Sequence, residues 1–138
     1  MKQLEQLRKK NAEGYIDVAL TVLIVSFLLI LMISVFGAVS QKQDLKDMCS
    51  ELVEMATTTG KIGDEVQARY EALCEETGMN PTVSFSTVYF DEDSGKVQFG
   101  EVISCTLTVE SGLPGFGGEL FTFTMTATES GLSQIYWK

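Results

Sequence analysis

From residue 18 to residue 39 the chain reads VALTVLIVSFLLILMISVFGAV, with no charged residue and only Thr21, Ser26 and Ser34 as polar side chains. About 20 apolar residues, at a rise of about 1.5 Å each, match the roughly 30 Å hydrocarbon core of a bilayer. The run therefore predicts a transmembrane helix. A core helix of this kind would have to be enclosed on every side, and a chain of 138 residues has too little mass to do that. A cleaved secretory signal is the other use of such a run. Gly37, Ala38 and Ser40 supply small residues at its end, although the apolar region of a signal is usually only about 7–15 residues long.

The flanks orient the span. Arg8, Lys9 and Lys10 stand just before it and Lys2 further back, whereas Lys42 and Lys46 follow it interleaved with Asp44 and Asp47. Basic residues are held on the cytoplasmic side. The expected layout is a cytoplasmic basic leader over residues 1–14, a transmembrane helix over residues 15–39 and an extracytoplasmic α+β domain over residues 40–138. Of 10 Lys+Arg and 19 Asp+Glu, four bases and three acids precede residue 40, so the acidity belongs to the outer domain. A domain so acidic excludes nucleic acid, whose phosphates require a basic face.

Helical periodicity continues past the span. Leu45, Met48, Cys49, Leu52, Val53 and Ala56 line one face, with Lys46, Asp47, Glu51 and Glu54 opposite. One continuous helix from about residue 15 to residue 58 is expected, stopped by Gly60. Val66, Tyr70 and Leu73 mark a second, shorter helix that ends at Gly78 ahead of Asn80-Pro81.

Beyond Pro81 the period changes to two. Val83, Phe85, Thr87 and Tyr89 form one alternating set, residues 91–95 (DEDSG) a turn, and residues 96–99 the return strand. Ile103, Cys105, Leu107 and Val109 alternate with Ser and Thr. A loop over residues 111–118 then leads to Phe121, Phe123, Met125 and Ala127, alternating with threonines. The fold class expected is α+β: an antiparallel sheet of about four strands, one face wet and the other packed on the two helices.

Little in this chain suggests catalysis, and no enzyme is expected. It has no histidine, the commonest general base and metal ligand. GFGG precedes a strand rather than a helix and lacks the lysine of a phosphate-binding loop. The acidic turn lacks the later ligands of a calcium loop. No cofactor, metal or small-molecule substrate is expected. Cys49, Cys74 and Cys105 have no metal-binding spacing. Outside the membrane Cys49 and Cys74 could join the two helices, or the thiols could stay free and buried. Tyr136 and Trp137, near the C-terminus, suit either a last strand or a contact with a membrane surface or another protein. Asp17, at the head of the apolar run, needs either a positive partner within the apolar layer or a place at headgroup level beside the helix N-terminus.

The stretch Arg8-Lys9-Lys10-Asn11-Ala12-Glu13-Gly14-Tyr15-Ile16-Asp17-Val18-Ala19, running directly into the apolar helix, resembles the leader of pilins and TadE-like pseudopilins. The resemblance implies cleavage by a prepilin-type peptidase after a small residue, with the apolar helix kept in the mature subunit. A cut between Ala12 and Glu13 makes Asp17 fifth in the mature chain, and a cut between Gly14 and Tyr15 makes it third. EGYIDVA, GLPGFGG and IYWK together are similar to a small uncharacterised membrane protein family of Gram-positive bacteria linked to conjugative and mobile elements. The function this implies is a structural subunit of a membrane-associated filament, secretion or conjugation apparatus. Such a subunit would assemble through its N-terminal helix with copies of itself or related subunits. The alternative is an unprocessed single-pass accessory protein whose outer domain binds another envelope protein.

Overall fold

The computed structural model describes the backbone of every residue except Phe116 and Gly117, and side chains except those of Leu7, Arg8, Asn11 and residues 113–120. The chain divides into two units, Met1–Gly37 and Ala38–Lys138. Helix α1 (Lys2–Thr59) provides the whole of the first unit's secondary structure and opens the second. It begins well before the expected residue 15, because nothing between Lys2 and Tyr15 is a Pro or a turn former strong enough to stop it; Gly14 alone costs only about 1 kcal/mol relative to Ala.

In the second unit, α1 ends at Gly60, whose φ of 66° lies in the left-handed region that glycine enters without penalty. The Gly60 amide donates to the Ala56 carbonyl at 3.0 Å. Helix α2 (Asp64–Thr77) closes in the same way at Gly78, which donates to the Cys74 carbonyl at 2.9 Å. Strands β1 (Thr82–Ser86), β4 (Val102–Gly115) and β5 (Gly118–Leu132) form an antiparallel sheet in the order β1-β4-β5. Strands β2 (Tyr89–Asp91) and β3 (Lys96–Val97) form a separate two-stranded ribbon around the acidic turn.

The α+β class is as expected: a long N-terminal helix, a short one, then antiparallel sheet. Its details differ from a single sheet of about four strands. The alternation from Val83 to Tyr89 is broken after Ser86, and its two halves serve different sheets. Residues 98 and 99 leave the return strand after Val97. Most of the expected loop over residues 111–118 is drawn into the hairpin, with Leu113 opposite Phe121 and Gly115 opposite Gly118. The Phe116-Gly117 part of GFGG lies outside the described residues.

The core lies between the second half of α1 and the sheet. Leu45, Met48, Cys49, Leu52, Val53 and Ala56 meet Ile103, Cys105 and Leu107 of β4 and Met125 and Ala127 of β5. Val66 and Leu73 of α2 and Val97 of β3 complete it. Leu52 and Leu107 are both 0% exposed. The opposite face is wet, and on it the hydroxyls of Ser104 and Ser130 pair at 2.8 Å and those of Thr106 and Thr128 at 3.1 Å. Phe121 departs from the expected buried row: it is 69% exposed.

Candidate functional site

The apolar part of α1 is the feature of the first unit that demands a partner. Its large side chains from Val18 to Phe36 are almost all exposed; Phe36 is 73% and Ile33 71% exposed. The stretch Ala12–Thr59 is long and apolar enough to cross a membrane, and its most apolar part is not buried by protein. The three hydroxyls are satisfied within the helix itself. Thr21 donates to the Asp17 carbonyl at 2.8 Å, Ser26 to that of Val22 at 2.7 Å and Ser34 to that of Ile30 at 3.0 Å. Back-bonding of this kind leaves no polar group calling for water, the condition that a hydrocarbon environment imposes.

Ala12, Glu13, Gly14 and Tyr15, the candidate processing positions, lie in unbroken helix. A Cβ built on Gly14 meets nothing within 4 Å, so the helix surface is open there. Asp17 is exposed, and its carboxylate makes no ion pair among the described residues. It is not at a helix N-terminus in the intact chain. The positive end of the α1 dipole is at Lys2, about 22 Å away along the axis, and the dipole's effect fades within the first turn. The headgroup-level setting for Asp17 therefore lacks a neighbouring helix end in the intact chain, and a cut would create one.

In the second unit the three cysteines carry free thiols, and the Cys49–Cys74 bond is not formed. Cys49 faces the sheet and donates to the Cys105 carbonyl at 3.1 Å. Burial pushes the Cys49 thiol up, and burial together with the neighbouring Cys49 pushes Cys105 up further, so both stay protonated. Cys74 is half-buried on α2, one turn from Tyr70, whose phenol donates to the Pro81 carbonyl. Burial raises the Tyr70 phenol in turn.

The C-terminal segment is not the last strand that its alternation allows. It is a strap held by side chains. The Trp137 indole N–H donates to both the Gly60 carbonyl, at 3.0 Å, and the Val97 carbonyl, at 3.1 Å. The Trp137 amide donates to Gln98 Oε1 at 2.8 Å, and Gln98 Nε2 returns a bond to the Trp137 carbonyl at 2.9 Å. Lys96 Nζ lies 4.8 Å from the centre of the indole ring. Trp137 is thus committed within the chain, while Tyr136 is left exposed. Sequence reasoning missed Gln98, Thr57, whose carbonyl accepts the Gln134 amide at 3.0 Å, and Gly131, where an added Cβ would stand 2.8 Å from Thr57 Cγ2. Gly131 was the one available signal, since a glycine inside a strand pattern often marks a close approach.

Among the described residues no group of three or more His, Cys, Asp or Glu is placed to hold a metal ion. The hollow beside the acidic turn, lined by residues 61–64, Tyr89 and residues 92–95, is shallow and open. The Ile62 amide closes it by donating to the Gly95 carbonyl at 2.8 Å.

A small α+β head joined to a helix long and apolar enough to cross a membrane is the class of protein these features define. The chain belongs to the DUF4320 family, a domain of unknown function, which matches residues 22–138. The match opens inside the apolar run, so the family holds most of that helix together with the head. No curated protein and no solved structure matches the chain.

Proposed function

We propose that this protein is a pilin-like or TadE-like structural subunit, anchored by α1 in the cell membrane with its head outside. It assembles there with copies of itself or related subunits in a filament, secretion or conjugation apparatus, and it carries no catalytic activity. The observation behind the reading is the bare apolar helix: sixteen large apolar side chains from Val18 to Val39 are exposed. Lipid covers them in the monomer, and in an assembly the same helices cover one another. Asp17 then stands where a charge without a partner is costly, and a positive group of a neighbouring subunit answers it. A prepilin-type peptidase acting between Ala12 and Glu13, or between Gly14 and Tyr15, supplies such a group as a new N-terminal amine.

One observation favours the accessory-protein reading instead. Val88, Phe90, Phe99 and Tyr136 remain exposed on the head, where an envelope partner could cover them. The experiment that separates the two is intact-mass measurement of the protein purified from its native membrane, run beside the Asp17→Asn variant. Leader removal in the wild type, with normal insertion but no large assemblies in the variant, is the expected result, since breaking one side of a buried pair costs about 3–5 kcal/mol. A wild type that keeps its leader and forms no assemblies overturns the subunit reading in favour of the accessory protein.

A further inference from the structure

The inward row of β5 loses its cover in steps. Ala127 and Met125 are 5% and 6% exposed, Phe123 is half-buried and Phe121 is 69% exposed. The apolar alternation continues past the buried part of the row, and the register sets Leu113, another apolar residue, opposite Phe121.

The direction of that hairpin gives the row its occupant. Near its start, β4 meets α1 where Cys49 donates to the Cys105 carbonyl. Further on, Ser111 Oγ donates to Gln41 Oε1 at 2.6 Å. Six residues of strand, about 20 Å, therefore accompany eight residues of helix, about 12 Å, and the strand advances along α1 toward its N-terminal end. Gln41 stands two positions after Val39, the last residue of the apolar run. From Ser111 the hairpin continues to Gly115, a further 13 Å or so of strand that projects to about 8 Å along the helix axis. Val39 lies only about 3 Å beyond Gln41 on that axis. The far end of the hairpin thus reaches the level of Val39, the last residue of the apolar run.

We propose that this end of the β4–β5 hairpin, marked by Phe121, rests in the boundary between headgroups and acyl chains of the membrane that holds α1. It forms a second, shallow lipid contact that fixes the head against the bilayer. The proposal rests on the reading of α1 as a membrane anchor. Glu110 on the same hairpin limits its depth to the interface, and lipid rather than a protein is the occupant because the exposed row ends level with Val39, where the apolar run meets the head.

The test uses the full chain in vesicles of zwitterionic phosphatidylcholine brominated near the headgroup end of its acyl chains, which quenches indoles within short range. Wild type supplies the baseline. Its one tryptophan, Trp137, is bonded to Gly60, about 30 Å along α1 from Val39, and its emission should be unaffected by the bromine. Phe121→Trp adds an indole at an exposed position that the core does not use, and Phe36→Trp adds one at the outer end of the apolar run, about 5 Å along α1 from Val39. The expected result is loss of the added emission in both variants. Quenching in Phe36→Trp without quenching in Phe121→Trp overturns the hairpin contact and leaves the anchor standing. Quenching in neither overturns both.

Discussion

Gly60→Ala is the substitution with the clearest cost. Gly60 ends α1 with a φ of 66°, and it is also where the C-terminal strap lands. A Cβ added there would stand 2.4 Å from Ile135 Cβ and 2.8 Å from its Cγ1. Two penalties follow: about 1–2 kcal/mol for a non-glycine residue in the left-handed region, and about 1–3 kcal/mol for overpacking against a side chain whose own backbone is tied down. The reduced freedom of the unfolded chain returns about 0.4–1 kcal/mol, leaving a net loss of about 2–4 kcal/mol. For a unit of about 100 residues this lowers the melting temperature by roughly 10–25 °C. Trp137 reports the event directly, because its indole bonds to the Gly60 carbonyl, so its emission should shift to the red as the strap is displaced. Thermal unfolding of the full chain in detergent, followed by that emission, gives the measurement. In an Ile135→Gly background the steric part disappears, and the same substitution should cost only about 1 kcal/mol. Equal costs in the two backgrounds, or a loss below about 0.5 kcal/mol in the wild type, would refute the close approach of strap and helix end.

Three further outcomes are expected. Phe123→Asp should destabilise the head by about 3 kcal/mol, through an unpaired charge on the half-buried row, whereas Thr124→Asp on the wet face should stay within about 0.5 kcal/mol, both read from urea unfolding. Burial raises both the Cys49 and Cys105 thiols in the folded state. Above the unfolded thiol value of about 8.5 the unfolded chain therefore releases protons that the native one keeps, and stability should fall by at least about 1 kcal/mol between pH 7 and pH 9.5. The Cys49→Ala/Cys105→Ala variant should lack that slope. A cysteine placed at Ser94, in the exposed acidic turn, should be labelled by a membrane-impermeant maleimide on intact cells, and labelling only after lysis would reverse the proposed orientation.

Periodicity and turn chemistry made the α+β class legible in the sequence. A helical stripe from Leu45 to Ala56 and a two-residue alternation from Ile103 to Leu107 each admit one burial pattern, and all the residues of those rows are buried. Both helix ends could be placed because Gly60 and Gly78 supply the left-handed residue that closes a helix. The apolar run was equally plain, since its length and lack of charge depend on no other part of the chain. What only the tertiary structure decided was where each pattern runs out. Alternation alone does not say that Val83 to Tyr89 serves two sheets, or that Phe121 is exposed while Met125 in the same row is buried, because both depend on partners distant in sequence. The cysteines show the same division. Spacing left Cys49 and Cys74 free to meet, but α1 lies on β4 and turns Cys49 toward Cys105. The strap at Trp137 is the furthest case, since its bonds join residues 60, 97, 98 and 137, and no local rule of sequence brings those together before the helix end, the ribbon and the C-terminus have packed.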